Sequence, residues 1–180
     1  AEPLYRRALA IQEKTLGADH ADVGIRLNNL GMLVEHRGDS AAAEALYRRA
    51  LRVLEKTLGP DHPETGTALN NLGGVLRDKG DYKGAEPLLR RALDVAVKAL
   101  GPGHPRVAIH ANNLASLLTA KGDYAASESL YRRALSVQEK ALGTGHPDLA
   151  ETLTGLGEVL AIKGDRKGAQ ALYRRALSIA

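Results

Sequence analysis

A block of residues recurs every 42 positions along this 180-residue chain, and that period constrains the fold more than any single motif does. The hexamer Leu46-Tyr47-Arg48-Arg49-Ala50-Leu51 stands again at positions 4–9, 130–135 and 172–177, and Leu88-Leu89-Arg90-Arg91-Ala92-Leu93 fills the remaining slot. His20, His62, His104 and His146 keep the same interval, as do Gly38-Asp39, Gly80-Asp81, Gly122-Asp123 and Gly164-Asp165. Self-similarity at tens of residues means that each unit buries its apolar face against its neighbours rather than in one central core. Such an array offers a long surface, which suits binding better than catalysis.

Within one unit the apolar spacing is helical. Ala68, Leu69, Leu72, Val75 and Leu76 follow a 3.6-residue period over 63–79, and Pro63 suits a first helical turn. Gly80 can end that helix in the left-handed conformation, and Asp81 can cap the next. A second stripe, from Ala85 through Leu89 and Leu93 to Ala99, predicts a helix over 82–100 that Gly101-Pro102 stops. Each unit is thus helix A, a Gly-Asp turn, helix B and a Gly/Pro/His loop. The expected fold is an all-α, right-handed α-solenoid (superhelix) of nine helices. An orphan helix B at 1–16 precedes repeats at 17–58, 59–100, 101–142 and 143–180, all in one solenoid domain that reads as a fragment of a longer chain.

Composition removes several chemistries. There is no Cys, so disulfides, thiolate zinc sites and cysteine nucleophiles are excluded together. No apolar run approaches the roughly eighteen residues of a membrane span, and no signal peptide opens the chain. A cytoplasmic protein without membrane contact is therefore expected. Ser/His/Asp constellations and phosphate-cradling loops are missing from the sequence, so no catalytic residue and no cofactor are assigned. The four loop histidines lie one repeat apart, roughly 10–20 Å, whereas zinc needs ligands at about 2 Å. They read as polar turn residues ahead of helix A, and no metal is expected.

Leu69, Leu72, Gly73, Leu76, Gly80-Asp81-Tyr82, Ala85, Leu89 and Ala92 fall at the small and large positions of the tetratricopeptide repeat. Leu-Asn-Asn-Leu-Gly in helix A and Leu-Gly-Pro-Asp-His-Pro between units make the chain similar to the kinesin light chain subclass of that family. The resemblance implies helix A on the concave side, a peptide-binding groove along it, and non-enzymatic function.

The most informative polar residues are Asn28-Asn29, Asn70-Asn71 and Asn112-Asn113, in mid-helix where Asn is locally unfavourable. One reading makes them a structural ladder between successive A helices. The other points one amide per repeat into the groove, where donor and acceptor together grip a peptide backbone. The resemblance selects Asn29, Asn71 and Asn113 as peptide contacts, with Asn28, Asn70 and Asn112 beside them. It places Ile25, Met32, Arg77 and Ile109 among the variable groove positions. Thr154-Gly155 interrupts the series in the fourth repeat. Arg77 alone supplies a groove cation, which argues against a clamp for a terminal carboxylate.

Five Arg pairs fall in register on helix B: Arg6-Arg7, Arg48-Arg49, Arg90-Arg91, Arg132-Arg133 and Arg174-Arg175. A basic ridge can attract nucleic acid. Glu2, Glu44, Glu86 and Glu128 precede four of these pairs by one helical turn, however, and no aromatics interleave as stacking platforms. A self-neutralised outer face is expected, with no nucleic-acid partner.

These readings converge on a module that holds an extended or short helical protein segment in its groove. The alternative is a regulatory segment acting on an effector domain of its own parent chain. The ends should expose apolar strips, Leu4, Ala8, Leu9 and Ile11 on the first helix and Leu172, Leu177 and Ile179 on the last. A monomer when dilute, with end-to-end association at high concentration, is expected from them.

Overall fold

The computed structural model describes residues 2–179, and the side chains of residues 3–179. Among the described residues stand nine α-helices and no strand. They are α1 (Glu2–Leu16), α2 (Ala21–Glu35), α3 (Ser40–Thr57), α4 (Pro63–Asp78), α5 (Tyr82–Leu100), α6 (Pro105–Lys121), α7 (Tyr124–Leu142), α8 (Leu149–Ile162) and α9 (Arg166–Ile179). The all-α helix-pair architecture expected from the period is present. α2, α4, α6 and α8 are the A helices, and α1, α3, α5, α7 and α9 the B helices.

Two devices recur at the helix boundaries. Glycines with positive φ end both helix types, at Gly17, Gly38, Gly59, Gly80, Gly101, Gly122, Gly143 and Gly164. After an A helix the Gly-Asp pair completes a Schellman motif: at Gly38-Asp39 the Asp39 N–H reaches back to the Val34 carbonyl at 3.2 Å. The same aspartate then opens the next helix, its Oδ1 accepting from the Ala42 N–H at 3.0 Å. Asp81, Asp123 and Asp165 repeat this cap on Gly84, Ala126 and Gly168. One dipeptide thus closes one helix and starts its neighbour, which fixes the tight A-to-B hairpin.

Loop histidines do the matching work ahead of α2, α4 and α6. His20, His62, His104 and His146 turn Nδ1 to accept the backbone N–H two residues on, at 3.1–3.2 Å. The first three are N-caps, whereas His146 bonds within the loop to Asp148, which precedes α8 without a side-chain cap of its own. Among the described residues, no cluster of three or more His, Asp or Glu is placed to hold a metal ion. None of the described helices is long and apolar enough to cross a membrane.

The chain forms two compact units, residues 1–99 and 100–180. In the first, Leu27, Leu30, Leu54, Leu69, Leu72 and Leu89 are fully buried, and in the second Leu117, Leu149, Leu153 and Leu156. Small residues on the A helices let the B-helix side chains approach. A Cβ on Gly31 would stand 2.5 Å from the Tyr47 ring, one on Gly73 2.6 Å from Leu89, and one on Gly157 2.8 Å from Tyr173. Burial pushes the Tyr47 hydroxyl well above its ordinary pKa, and the Glu35 carboxylate that accepts its hydrogen bond at 2.6 Å adds to that.

The expected strip on the last helix needs correction. Leu177 is 80% exposed, but Leu172 and Ile179 turn inward with Ala176 onto Leu149 and Leu153. Residues 172, 176 and 179 share a helix face at spacings of four and three, while Leu177 lies a full step round the helix. On the first helix Leu4 and Ile11 are exposed, Ala8 is half-buried and Leu9 is buried.

Candidate functional site

The Asn pairs divide by exposure. Asn28, Asn70 and Asn112 are buried, whereas Asn29 is exposed and Asn71 and Asn113 are half-buried. A helix turns about 100° per residue, so adjacent residues point one into the seam and one toward the open face. Met32 and Ile109 are exposed on that open face, Ile25 is half-buried, and Arg77 lies half-buried with Nε donating to Asp78 at 2.8 Å.

In the first unit the amides form a ladder between α2 and α4. Asn71 Nδ2 donates to Asn28 Oδ1 at 3.1 Å, and Asn70 Nδ2 donates to Asn71 Oδ1 at 3.4 Å. These two bonds hold Asn71 in one orientation. They leave one of its N–H groups and one of its lone pairs without a partner among the described residues.

The second unit is wired differently. Asn112 Nδ2 donates to Thr152 Oγ1 at 2.5 Å, Thr152 donates to Gln138 Oε1 at 2.6 Å, and Gln138 Nε2 donates to the Asp148 carbonyl at 3.2 Å. The relay leads away from the open face, toward α7. Beside it a cleft of about 520 Å³ opens between α6, the end of α7 and the start of α8. Sequence reasoning missed Thr152 and Gln138. A signal existed, since one repeat period back these phases carry His110 and Ala96, and two periods back Ala68 and Leu54.

The Arg ridge is paired twice over. Within helices, Glu44 meets Arg48 at 2.9 Å, Glu86 meets Arg90 at 2.8 Å and Glu128 meets Arg132 at 2.8 Å. The expected pair of Glu2 with Arg6 involves a side chain outside the described residues. Between successive B helices, Arg49 meets Glu13 at 2.6 Å, Arg91 meets Glu55 at 2.6 Å and Arg175 meets Glu139 at 2.5 Å. This second set, at a spacing of 36 residues, was not read from the sequence. Lys79 adds to Glu44 and Lys163 to Glu128. These lysine hydrogen bonds, with the arginines behind them, hold both carboxyls below the usual glutamate range.

A family model described as tetratricopeptide repeat matches residues 1–56, 27–98, 64–117 and 106–180. No curated protein matches the chain in sequence. Among solved structures it is similar to BtubC (BKLC) from P. vanneervenii, with TM-score 0.84, 28% identity, and coverage of 99% of this chain and 71% of that one. It is also similar to the nearly identical TPR-like repeats of a kinesin light chain candidate from Podosopora anserina, with TM-score 0.78, 24% identity and coverage of 99% and 84%. The apo form of RapI matches at TM-score 0.79 and 18% identity, covering 98% of this chain and 61% of that one. The last two likenesses concern the fold alone.

Proposed function

We propose a function from one premise: this chain belongs to the tetratricopeptide repeat family, whose fold serves generally as a non-enzymatic scaffold for protein–protein interaction. The proposed role is to hold an extended or short helical segment of a partner protein along the open face of the A helices. The observation that carries it is the pre-set Asn71 amide, oriented by Asn28 and Asn70 and retaining one donor and one acceptor. An extended peptide backbone presents that same pair of groups at each residue. Asn29 and Asn113 occupy the equivalent phase, and Ile25, Met32 and Ile109 offer apolar contact beside them.

The paired Arg ridge supports the A-helix face over the B-helix face as the binding surface. Its charges are largely met by carboxylates within the chain, which weakens its attraction for a polyanion. A cytoplasmic place for this role is part of the same proposal.

The test is capture from a randomised hexapeptide library on the chain and on the Asn29→Ala variant. Asn29 is exposed, so its loss should leave the melting temperature unchanged while bound peptides weaken two- to tenfold, about 0.5–1.5 kcal/mol. Equal retention of peptides by both proteins would remove the open face from the site.

A further inference from the structure

The seam between α6 and α8 ends on an acceptor with nothing to accept. Asn112 is 6% exposed, and its Oδ1 is closed off from solvent without a hydrogen-bond partner. The surrounding network decides which amide atom is left over. Gln138 must turn Nε2 to the Asp148 carbonyl, since two oxygens would repel, so its Oε1 faces Thr152. The Thr152 proton goes to that oxygen, and its lone pair takes the Asn112 N–H. Reversing Asn112 would set two oxygens together with no proton between them. The orphan atom is therefore an acceptor, and a buried polar atom in this state calls for an explanation.

Asn112 lines the cleft described above, together with apolar Ile109, Leu142 and Pro147 and the carboxylates of Asp148 and Glu151. Ile109 lies one turn before Asn112 on α6, is 52% exposed and lines the same cleft, and reaching the enclosed amide oxygen requires a side chain of that lining to move aside. An apolar wall with a buried acceptor and a negative rim matches one kind of occupant: a long aliphatic stem ending in a cationic donor. An acidic side chain would face the carboxylates, and an apolar one would leave the acceptor unmet.

The first unit supplies an independent argument. Three repeat periods earlier, Gln12, Asp22, Ile25 and Arg26 stand at the phases of Gln138, Asp148, Glu151 and Thr152, and they line a corresponding cleft. There the chain's own Arg26 guanidinium donates to Gln12. In the second unit Thr152 has taken the arginine's place, and no side chain of this phase brings a cation.

We infer that the α6–α8 cleft takes a lysine or arginine side chain from the bound partner segment, its stem along Ile109, Leu142 and Pro147 and its head between Asn112 Oδ1 and Glu151. This rests on the proposed reading of the A-helix face and names the side-chain chemistry that face selects. The test scores the hexapeptide library for residue preference at each position. In parallel, amide and side-chain NMR shifts of the whole chain are followed with blocked lysine, arginine and norleucine methylamides. One library position should favour Lys or Arg. The two basic probes, unlike norleucine, should shift the Asn112 side-chain amide and Glu151. Glu151→Gln, at an exposed position, should lower the preference about two- to fivefold, and Asn112→Leu about tenfold. Hexapeptides whose capture falls in an Asn113→Ala variant, within the same unit as the cleft, yet which show no basic preference would overturn this inference and leave the A-helix reading standing. Absence of both library preference and probe shifts would overturn it whatever becomes of that reading. A preference unchanged in both variants would overturn it too.

Discussion

The two seams between A helices start from the same sequence phases and end with different wiring. Between α2 and α4 the amides bond to each other, and the neighbouring phases, Leu54 and Ala68, are apolar and buried. Between α6 and α8 the amide of Asn112 is drawn toward α7 by Thr152 and Gln138. The difference goes with the position of one aromatic ring. In the first repeat Gly31 admits the Tyr47 ring close to α2, where Glu35 receives its hydroxyl. In the third, Ala115 stands at the phase of Gly31 and Thr119 at that of Glu35, and the Tyr131 ring lies against Gly155 instead. A Cβ on Gly155 would come within 2.5 Å of that ring. Position 155 is where the next ladder asparagine would fall, so the ring excludes it. Repeat arrays are read as sums of similar units, yet one methyl group at Ala115 accompanies the rerouting of a whole seam.

Gly31→Ala imports the third-repeat situation into a site with no room for it, and should cost about 1–3 kcal/mol in urea unfolding. Adding Asn71→Gly gives the displaced ring the space that Tyr131 has. The double-mutant cycle should then show a coupling of about 0.5 kcal/mol or more in the compensating sense. Strict additivity would mean that ring position and ladder are unrelated.

Thr152→Val is the matching test of the second seam. It leaves Asn112 Nδ2 and Gln138 Oε1 unpaired in a buried place, and should cost about 1–3 kcal/mol. A change within about 0.3 kcal/mol would show that the relay contributes little. Asn71→Ala removes a half-buried ladder bond and should cost less, about 0.5–1.5 kcal/mol, in stability.

The smallest effect is the acid limb. Glu44 and Glu128 titrate below their unfolded-state value, near 4.3, because lysine and arginine hold them ionised. The unfolded chain therefore takes up protons first as pH falls. Their contribution is complete above about pH 4.3 and is lost as pH drops through the lowered folded values. Paired Glu44→Gln and Glu128→Gln should flatten melting temperature against pH in that window. A profile identical to the parent's would assign the acid sensitivity elsewhere.

How much of this was legible in the sequence follows from the range of each interaction. Helix periodicity, the Gly-Asp hairpin and the glutamate-to-arginine pairs act within one turn or one loop, and a reader needs only neighbouring residues to see them. The histidine caps needed slightly more, since Nδ1 acts two residues ahead. The seams were legible only as a question. Asn28 and Asn71 are 43 residues apart and Asn112 and Thr152 are 40 apart, so the sequence offers candidates without saying which amide faces which partner. The burial of Asn70 beside half-buried Asn71 answers part of that. Arg91 with Glu55 was missed because its spacing of 36 joins two helices whose mutual stagger no local rule supplies. Leu172 and Ile179 were misplaced for a simpler reason, a face of α9 taken as wider than 3.6-residue geometry allows.

Partners are proposed to bind on the A-helix face and not on the arginine ridge. The most direct test compares hexapeptide-library capture by Asn71→Ala with capture by the Arg90→Glu, Arg91→Glu double variant, each well below its melting temperature. Asn71→Ala should capture two- to tenfold more weakly, about 0.5–1.5 kcal/mol, and the double variant at the parent's level. Capture lost in the double variant and kept in Asn71→Ala would contradict that proposal.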